Sequence, residues 1–305
     1  MNGNEMDAAP PISVVIASKV GAPFIDFCLQ SLEAQAKAIA AEVIVVVTSE
    51  SSYAARLTVD YPWARVIKST ATTQVPALRR IGVQAARGAL IVIIEEHCSA
   101  APDWLACACA ALKSGVYGAA GGPVADYDYK RLPDWTVYFL EYHGALPPAA
   151  GGETDNLNDA NIAYPRKLLL EHAALLDDGY WPMALHPTLL AKGVKLLSAP
   201  DMIVYHRGPF DYRYYLGQRF LFSRAYAGVR AQKQPPLRRL AYIVLAPAVP
   251  FMMLARISGI VLRKGCRVPK FVACLPLLSL ALVVMVAGEW LGCVAGPGDA
   301  LSKVE

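Results

Sequence analysis

Charge is scarce in this sequence of 305 residues, and neither sign is in strong excess. Lys, Arg, Asp and Glu make up 18% of the residues, and the formal net charge is only +4. Proteins that bind nucleic acid carry a strong basic field, so we predict no nucleic-acid partner. The seven cysteines show neither paired zinc spacing nor the pattern of a small disulfide scaffold. Such a scattered set is typical of a reducing compartment.

The first residues also lack the basic segment and the apolar run of a secretory signal peptide. We therefore expect the globular part of the chain to face the cytoplasm. Apolar residues, by contrast, make up 55% of the chain, and their excess is concentrated after residue 239. This uneven distribution predicts a globular domain over residues 1–235 and membrane-associated segments over residues 236–305.

Two apolar segments in the tail differ in how well they suit a membrane span. Residues 240–255 contain two prolines and are shorter than the roughly 20 residues that a span needs. Residues 271–288 form a continuous, uncharged and mostly apolar run. Residues 263–270, which lie between the segments, carry four cations, and cytoplasmic loops collect Lys and Arg. We predict a re-entrant or interfacial helix at about 240–262 and a span at about 271–292. Two full spans, or a buried soluble hairpin, are the alternatives.

Buried strands alternate with helices in the first hundred residues. Branched apolar runs at 12–18, 42–47 and 91–94 predict strands that are covered on both faces. Helical spacing of apolar residues occurs between them, at 25–32 and 78–87. Strands and helices in this alternation are typical of βαβ units, so we predict an α/β fold with a mostly parallel sheet and flanking helices.

After residue 115 the pattern becomes less regular. A stretch rich in Tyr, Pro and Gly runs to about residue 155, and long loops of this kind are usually binding loops or lids. Asn161 begins a new element, and helices are predicted over 185–192 and 212–230. The second of these helices carries aromatic and arginine side chains together, as helices near lipid headgroups do; a plain surface helix is the alternative.

The strand at 91–94 ends abruptly in Glu95, Glu96 and His97. In an open α/β sheet, the groups at the carboxyl end of a strand line the ligand crevice. Carboxylate and imidazole groups there suit a divalent cation that carries a phosphate. A solvated acidic turn on the surface is the alternative interpretation.

Several short motifs follow one another along the chain. They are Ser13-Val-Val-Ile, Cys28-Leu-x-Ser-Leu-x-x-Gln, Glu42-Val-Ile-Val-Val, Leu78-Arg-Arg-Ile-Gly, Pro102-Asp-Trp-Leu, Asn161-x-Ala-Tyr-x-Arg and Val204-x-His206. In this order they resemble the family-2 glycosyltransferases with the GT-A fold, over roughly residues 12–230. Glu95-Glu96-His97 falls where that family carries Asp-x-Asp. C-terminal membrane helices are also common in the family.

The resemblance implies transfer of a sugar from a nucleotide-sugar donor. Mg²⁺ or Mn²⁺ would stabilise the diphosphate leaving group, with Glu95, His97 and His206 as implied ligands. His206 is otherwise a packed structural histidine. The resemblance places the donor near Ser18, Thr48, Ser49, Glu50, Arg79 and Glu96. It places the acceptor near Asn161, Tyr164 and Trp181.

Some of these assignments have alternatives. Arg79 is either a phosphate partner or a solvated helix residue. Glu96 either binds the metal or supports its ligands from behind. The family usually carries an aspartate after the second strand to hold uracil, whereas this chain has Val47 and Thr48. The identity of the nucleotide base therefore stays open.

The chain also departs from the family at the catalytic base. The family places Glu or Asp just before the helix predicted at 185–192, and here that place holds Pro182. An inverting enzyme needs a group that takes the proton of the acceptor hydroxyl. His186 and Asp178 are our candidates for that base, and the other candidates are carboxylates of the same region: Asp155, Asp159 and Asp177. His186 is otherwise an exposed histidine at the start of a helix.

The apolar tail suggests where the enzyme works. A tail that holds the active site at the bilayer predicts a lipid-linked or membrane-proximal acceptor and contact with membrane lipid. We expect an inner-membrane protein whose catalytic domain faces the cytoplasm, acting in cell-surface polysaccharide or glycolipid synthesis. The alternative is a catalytically degenerate relative that acts as a scaffold or regulator in a polysaccharide-synthesis complex.

Overall fold

A computed structural model of the protein describes residues 10–49, 52–70, 74–177, 179–232 and 234–303. As far as it is described, the chain forms two compact units. The sheet unit comprises Met1–Tyr127 and Pro147–Arg207. The helical unit comprises Asp128–Leu146 and Gly208–Glu305.

The strands of the sheet unit form a large and a small sheet. In chain order they are β1 (Ile12–Ser18), β2 (Glu42–Val47), β3 (Arg65–Lys68), β4 (Leu90–Ile94), β5 (Cys98–Ala100), β6 (Tyr117–Gly121), β7 (Val124–Asp126), β8 (Gly152–Thr154), β9 (Asn161–Pro165), β10 (Lys195–Ser198) and β11 (Val204–His206). The large sheet has the order β3-β2-β1-β4-β9-β6-β10-β8, and the small sheet has the order β5-β11-β7. Antiparallel pairing within the large sheet is confined to β9 and β8. The predicted α/β fold with a mostly parallel sheet is confirmed.

The helices are divided between the units. In chain order they are α1 (Phe24–Ala38), α2 (Ala54–Asp60), α3 (Val75–Ala85), α4 (Trp104–Leu112), α5 (Leu132–Tyr142), α6 (Arg166–Glu171), α7 (Pro182–Ala191), α8 (Tyr212–Gln232), α9 (Pro236–Leu245), α10 (Val249–Lys264), α11 (Val268–Ala295) and α12 (Ala300–Lys303). Short 3₁₀ turns lie at His143–Ala145, Ala173–Leu176 and Ala246–Ala248. Helices α5 and α8 to α12 belong to the helical unit.

The core of the sheet unit lies at the centre of the large sheet. All residues of β1 are buried, as are four of the five residues of β4. Their branched side chains are covered on both faces, which explains why these strands read as continuous apolar runs. Helix α3 lies close to β1 because residue 82 is glycine: a Cβ there would lie 2.4 Å from Val15 Cγ1.

Strand pairing brings distant parts of the chain to one edge. Strand β1 pairs in parallel with both β2 and β4, so the carboxyl ends of these three strands point the same way. In the small sheet, β11 pairs with β5 such that His206 lies opposite Cys98. This pairing places His206 beside the turn that follows β4.

The helical unit is built around α11, which lies along α8. The Tyr212 hydroxyl donates to the Leu277 carbonyl at 2.5 Å. Gly288 and Gly292 permit the close approach, since added Cβ atoms would lie 2.3 Å from Phe220 O and 2.4 Å from Arg224 O respectively. Small residues four apart commonly form such helix contacts. The helical unit therefore contains α8 together with the tail, and the domain boundary expected at residue 235 stays a prediction.

The stretch that we expected to be irregular contains helix α5. This helix is buried on nearly every side, with Trp135, Tyr138 and Phe139 all inaccessible or nearly so. Asp134 and Thr136 are buried together with the aromatic side chains, so burial does not follow polarity in this helix, and aromatic residues have only moderate helix propensity. The sequence therefore offered no clear helical signal, and the expectation of a long loop was wrong at this point.

Two helical segments of the tail, Pro236–Lys264 and Val268–Ala295, are long and apolar enough to cross a membrane. The first is longer than we expected, because its prolines do not end it. Pro247 lies in the 3₁₀ turn and Pro250 in the first turn of α10, where a missing N–H costs no helical hydrogen bond. The number of segments that cross a membrane stays a prediction.

Candidate active site

The candidate site begins at the turn that follows β4. Three backbone hydrogen bonds hold this turn: Glu95 N donates to Ala160 O at 3.2 Å, Cys98 N to Glu95 O at 2.9 Å, and Arg207 N to His97 O at 2.9 Å. The turn is thereby attached to the segment before β9 and to the end of β11. Only 3% of Glu96 is exposed, so the interpretation of this turn as a solvated surface feature is wrong.

Glu95, His97 and His206 form a charged group at this edge. His97 Nδ1 lies 3.6 Å from Glu95 Oε1, and the rings of His97 and His206 are 6.1 Å apart between centroids. Burial would raise the pKa of Glu95, but the pairing with His97 and the charge of His206 outweigh burial and bring it well below its usual range. Burial would lower the pKa of His97, yet its pairing with Glu95 leaves that pKa raised. Carboxylate and imidazole thus stabilise each other's charged forms.

The donors at this edge fit a divalent cation that is shared with a ligand. The part of the chain that the structure describes has no group of three His, Cys, Asp or Glu side chains able to hold a metal ion by itself. Mg²⁺, however, is usually held by one or two carboxylates together with substrate phosphates. The Glu95 side chain is 27% exposed and can offer one such carboxylate.

Arg79 lies behind this group and is paired with Asp159. Its Nη1 is 2.5 Å from Asp159 Oδ2, and its side chain is only 5% exposed, whereas that of Asp159 is 47% exposed. The interpretation of Arg79 as a solvated helix residue is therefore wrong. Within the described residues its Nε has no hydrogen-bond partner. A buried guanidinium with a spare donor is suited to an anion, and the phosphate role stays a prediction.

The carboxylate of Glu96 binds the chain at the end of β1 and in the loop that follows it. It accepts hydrogen bonds from the Ser18 hydroxyl and from the backbone N–H groups of Lys19, Val20 and Gly21. Ser18 also contacts the Tyr53 hydroxyl at 3.1 Å. Of the two interpretations of Glu96, the geometry favours support over ligation.

The remaining residues expected near the nucleotide lie after β2. Thr48 and Ser49 are half-buried and directly follow that strand. The backbone N–H of Ser69 donates to Val47 O at 2.8 Å and holds the end of β2 against the segment after β3. Glu50 lies outside the described residues. A role for Thr48 and Ser49 in donor binding stays a prediction.

Asn161 is buried and all of its side-chain groups are engaged. Its Oδ1 accepts from Trp104 Nε1 at 2.8 Å, and its Nδ2 donates to Pro123 O at 3.1 Å and to Met202 O at 2.5 Å. The side chain therefore joins β9 to α4 and to the loops before β7 and β11. Asn161 thus holds these segments of the sheet unit together. Direct contact of Asn161 with an acceptor stays a prediction.

Tyr164 and His186 meet in a buried polar network. The Tyr164 hydroxyl lies 2.6 Å from His186 Nε2 and accepts a hydrogen bond from Tyr180 at 2.8 Å. Burial lowers the pKa of His186 to about 4, so its imidazole is neutral at neutral pH. His186 is 3% exposed, and the interpretation of an exposed histidine at a helix start is wrong. A group with so low a pKa is a weak proton acceptor, and its role as base stays a prediction.

The other acceptor-side and base candidates lie at the start of α7. Pro182 is the first residue of this helix, a position that suits proline, and Trp181 immediately before it is half-buried. Asp178 lies outside the described residues. Asp177 O accepts a hydrogen bond from Arg80 Nη1 at 2.9 Å, which ties this segment to α3.

Two polar residues of the site had not been singled out in the sequence. Tyr180 is buried and completes the network around Tyr164. Arg207 directly follows His206, and its guanidinium carbon lies 3.5 Å from the Tyr127 ring centroid and 4.4 Å from that of Phe27. Its position after the strand-end histidine was the only available signal, since the stacking partners are far away in sequence.

Residues 13–171, more than half of the chain, match the family described as "Glycosyl transferase family 2". Solved structures are similar to the chain over nearly all of its length. The mannosyltransferase PcManGT from Pyrobaculum calidifontis, in complex with GDP-Man and Mn²⁺, has a TM-score of 0.53 and 19% identity, covering 96% of this chain and 88% of that one. S. aureus TarS 1–349, in complex with UDP-GlcNAc, has a TM-score of 0.52 and 14% identity, covering 96% and 90%. No match was found among curated proteins.

Proposed function

The chain belongs to glycosyl transferase family 2, and on that premise we propose that it transfers a sugar from a nucleotide-sugar donor to a lipid-linked or membrane-proximal acceptor. The observation that carries the proposal is the group of Glu95, His97 and His206 at the carboxyl edge of the parallel strands. Ligands of open α/β sheets bind at this edge, and these donors suit a diphosphate held through a divalent cation.

The cation in this proposal is Mg²⁺ or Mn²⁺. Glu95 and the imidazole of His97 or His206 would hold it together with the donor phosphates, and it would act as a Lewis acid on the leaving group. The buried guanidinium of Arg79 supplies a second positive charge behind Glu95. The likeness to PcManGT, which is solved with GDP-Man and Mn²⁺, supports a divalent cation in this fold.

The acceptor hydroxyl must lose a proton during the reaction. Its oxygen attacks the anomeric carbon, the bond from that carbon to the diphosphate breaks, and the diphosphate leaves with the electron pair. Asp178, His186 and Asp159 are the proposed bases for the released proton. Of the two that are described, Asp159 offers the more exposed group, while His186 is buried against Tyr164.

The apolar tail supports an acceptor at the membrane. Leu237 and Phe251 are 80% and 76% exposed, and both lie in the segment Pro236–Lys264, which is long enough to span a bilayer. Exposed apolar surfaces of this kind favour a lipid environment. The cations between the segments, Arg263 and Lys264 among them, favour a cytoplasmic position for that turn. We therefore place the enzyme at the inner membrane, facing the cytoplasm, in polysaccharide or glycolipid synthesis.

The experiment that tests the proposal is a donor panel with the detergent-solubilised full chain. The panel includes GDP-mannose and UDP-GlcNAc, membrane lipid extract serves as acceptor, and the released nucleoside diphosphate is measured with Mn²⁺ or with EDTA. We expect metal-dependent release from one donor. Release that is equal in EDTA would contradict the metal assignment.

A scaffold or regulator in a polysaccharide-synthesis complex is the second candidate function. Pro182 at the family's base position and the buried His186 are the observations in its favour. Nucleotide binding without release from any donor in the panel would favour this candidate over a working transferase.

A further inference from the structure

We infer that Glu96 is a positioning residue, which holds the loop of residues 18–21 in the shape that the donor site requires. The inference rests on the proposed function, because it assigns this loop to the donor. It concerns a contact within the sheet unit, between the turn after β4 and the loop after β1. The two segments are more than seventy residues apart in the chain.

The contact is made by four donors that converge on one carboxylate. Glu96 Oε2 accepts from Ser18 Oγ at 2.6 Å and from Gly21 N at 3.0 Å. Glu96 Oε1 accepts from Lys19 N at 2.8 Å and from Val20 N at 3.0 Å. Hydrogen bonds to an ionised carboxylate are about twice as strong as neutral ones.

Three successive backbone N–H groups that point to one place form an anion-binding concavity. Such a concavity after the first strand of an α/β sheet could hold a phosphate of a ligand. Here the carboxylate of Glu96 fills it, and Glu96 is only 3% exposed. The donor phosphates therefore do not use these N–H groups, and the loop contributes its shape and its outer surface instead.

The same turn links the loop to the metal candidates. Glu95 and His97 flank Glu96 and face each other across 3.6 Å, while Glu96 points to the loop. The ring of Phe24, which follows the loop, lies 4.3 Å from the ring of His97 between centroids. One short turn thus sets both the position of the cation ligands and the position of the loop. A donor that contacts both the cation and the loop therefore depends on Glu96 for the distance between them.

The Tyr53 side chain holds the loop from its other side. Its hydroxyl contacts Ser18 Oγ at 3.1 Å, and a Cβ added to Gly21 would lie 2.7 Å from a carbon of its ring. Residue 21 has φ +80°, which glycine adopts without strain. The loop is therefore clamped between Tyr53 and Glu96, as expected for a binding surface that is ordered before the ligand arrives.

The test uses the nearly isosteric substitution Glu96→Gln in the full-length, detergent-solubilised chain. Glutamine preserves the volume, but its NH₂ group cannot accept hydrogen bonds, so the substitution removes the negative charge and the hydrogen bonds to one of the two oxygens. Glu33→Gln on α1 is the matched control, since the Glu33 side chain is 41% exposed and pairs with Lys37 across one helical turn. Kinetics with the donor panel and amide hydrogen exchange of residues 19–21 are measured for both variants.

We expect Glu96→Gln to speed amide exchange of residues 19–21 and to raise the KM for the donor about 10- to 100-fold, with a smaller change in kcat. Glu96→Asp keeps the charge but shortens the side chain, so its KM for the donor should lie between those of the wild type and of Glu96→Gln. Glu33→Gln should match the wild type. Unchanged exchange, or faster exchange with an unchanged KM, would overturn the inference.

The outcome stays distinguishable from a failure of the proposed function. If the wild type releases no diphosphate from any donor, then the transferase proposal fails while the loop is still testable. Calorimetric binding of UDP and GDP with Mn²⁺ replaces the KM in that case. Weaker nucleotide binding by Glu96→Gln would support the positioning role, and equal binding by wild type and variant would overturn it.

Discussion

Among the described residues, most of the buried polar side chains belong to the sheet unit, and most of the exposed large apolar side chains belong to the helical unit. The sheet unit buries Arg79, Glu96, Asn161 and His186, and each of them is engaged by at least one hydrogen bond or ion pair. The helical unit instead leaves large apolar side chains such as Leu237 and Phe251 exposed. Buried polar groups are costly unless they are paired, so they lock a single geometry. Exposed apolar groups are stable where the surroundings are themselves apolar.

In the function proposed above, the fixed polar geometry of the sheet unit would provide the positions that the reaction requires. The exposed apolar surface of the helical unit would provide the proposed contact with lipid. Substitutions that break polar pairs in the first unit should therefore change binding or pH dependence. Substitutions in the helix packing of the second unit should change stability alone.

The largest effect is expected for Glu95→Ala in the sheet unit. Loss of the half-buried carboxylate at the proposed metal position should reduce Mn²⁺-dependent donor turnover by about 100- to 1,000-fold, which corresponds to about 3–4 kcal/mol. The turnover is measured as released nucleoside diphosphate with Mn²⁺. Nucleotide titrations with and without Mn²⁺ measure metal-dependent binding, and a melting curve verifies folding. Glu153→Ala, at an exposed ion pair with Lys195, is the control. A variant whose nucleotide affinity responds to metal as the wild type does would refute the assignment of Glu95.

A somewhat smaller effect is expected from His186 at acidic pH. The folded pKa is about 4, below the ordinary value near 6.5 in the unfolded chain. Stability is therefore complete above about pH 6.5 and falls as the pH drops towards 4, because only the unfolded state takes up the proton. The loss reaches about 3 kcal/mol.

The variant His186→Gln removes this titration and can still accept the Tyr164 hydrogen bond. Melting temperatures of wild type and variant, compared at several values between pH 7.5 and 4.5, test the prediction. The wild type should lose more stability than the variant on acidification. Parallel curves would mean that His186 does not resist protonation in the folded protein.

The smallest effect is expected in the helical unit, for Gly292→Ala. A Cβ at this position would lie 2.4 Å from the backbone oxygen of Arg224, so α8 and α11 would have to move apart. Overpacking of this kind costs about 1–3 kcal/mol. Gly259→Ala on α10 is the control, since a Cβ there meets nothing within 4 Å. We expect a lower melting temperature for Gly292→Ala alone, with nucleotide affinity unchanged, whereas equal melting of both variants would contradict the close packing.

Much of the sheet could be predicted because its signals are local. Strands β1, β2 and β4 appear as branched apolar runs, and the abrupt change after Ile94 marked the edge where a ligand would bind. The family motifs also follow the chain in order. Helix α5 was missed because it buries polar as well as apolar side chains, so its burial cannot be inferred from residue type.

Contacts between distant residues were outside the reach of such patterns. The pairing of Arg79 with Asp159 spans 80 positions, and that of Ser18 with Glu96 spans 78. Nothing near Glu96 in the sequence distinguishes a carboxylate that binds a loop from one that binds a metal. Similarly, His186 looks like an ordinary helix-start residue until Tyr164 is placed beside it.

By itself, the sequence determined the α/β class, the family, the edge of the sheet that carries the charged group and the apolar character of the tail. These follow from short-range periodicity and from residue types, which hydrophobic burial translates directly into strands and helices. The tertiary structure alone decided which side of the Glu95–His97 turn faces the loop, which histidine is buried and neutral, and which helix accompanies α11. Those outcomes depend on how buried polar groups and backbones find partners far along the chain, because a desolvated group without a partner is unstable.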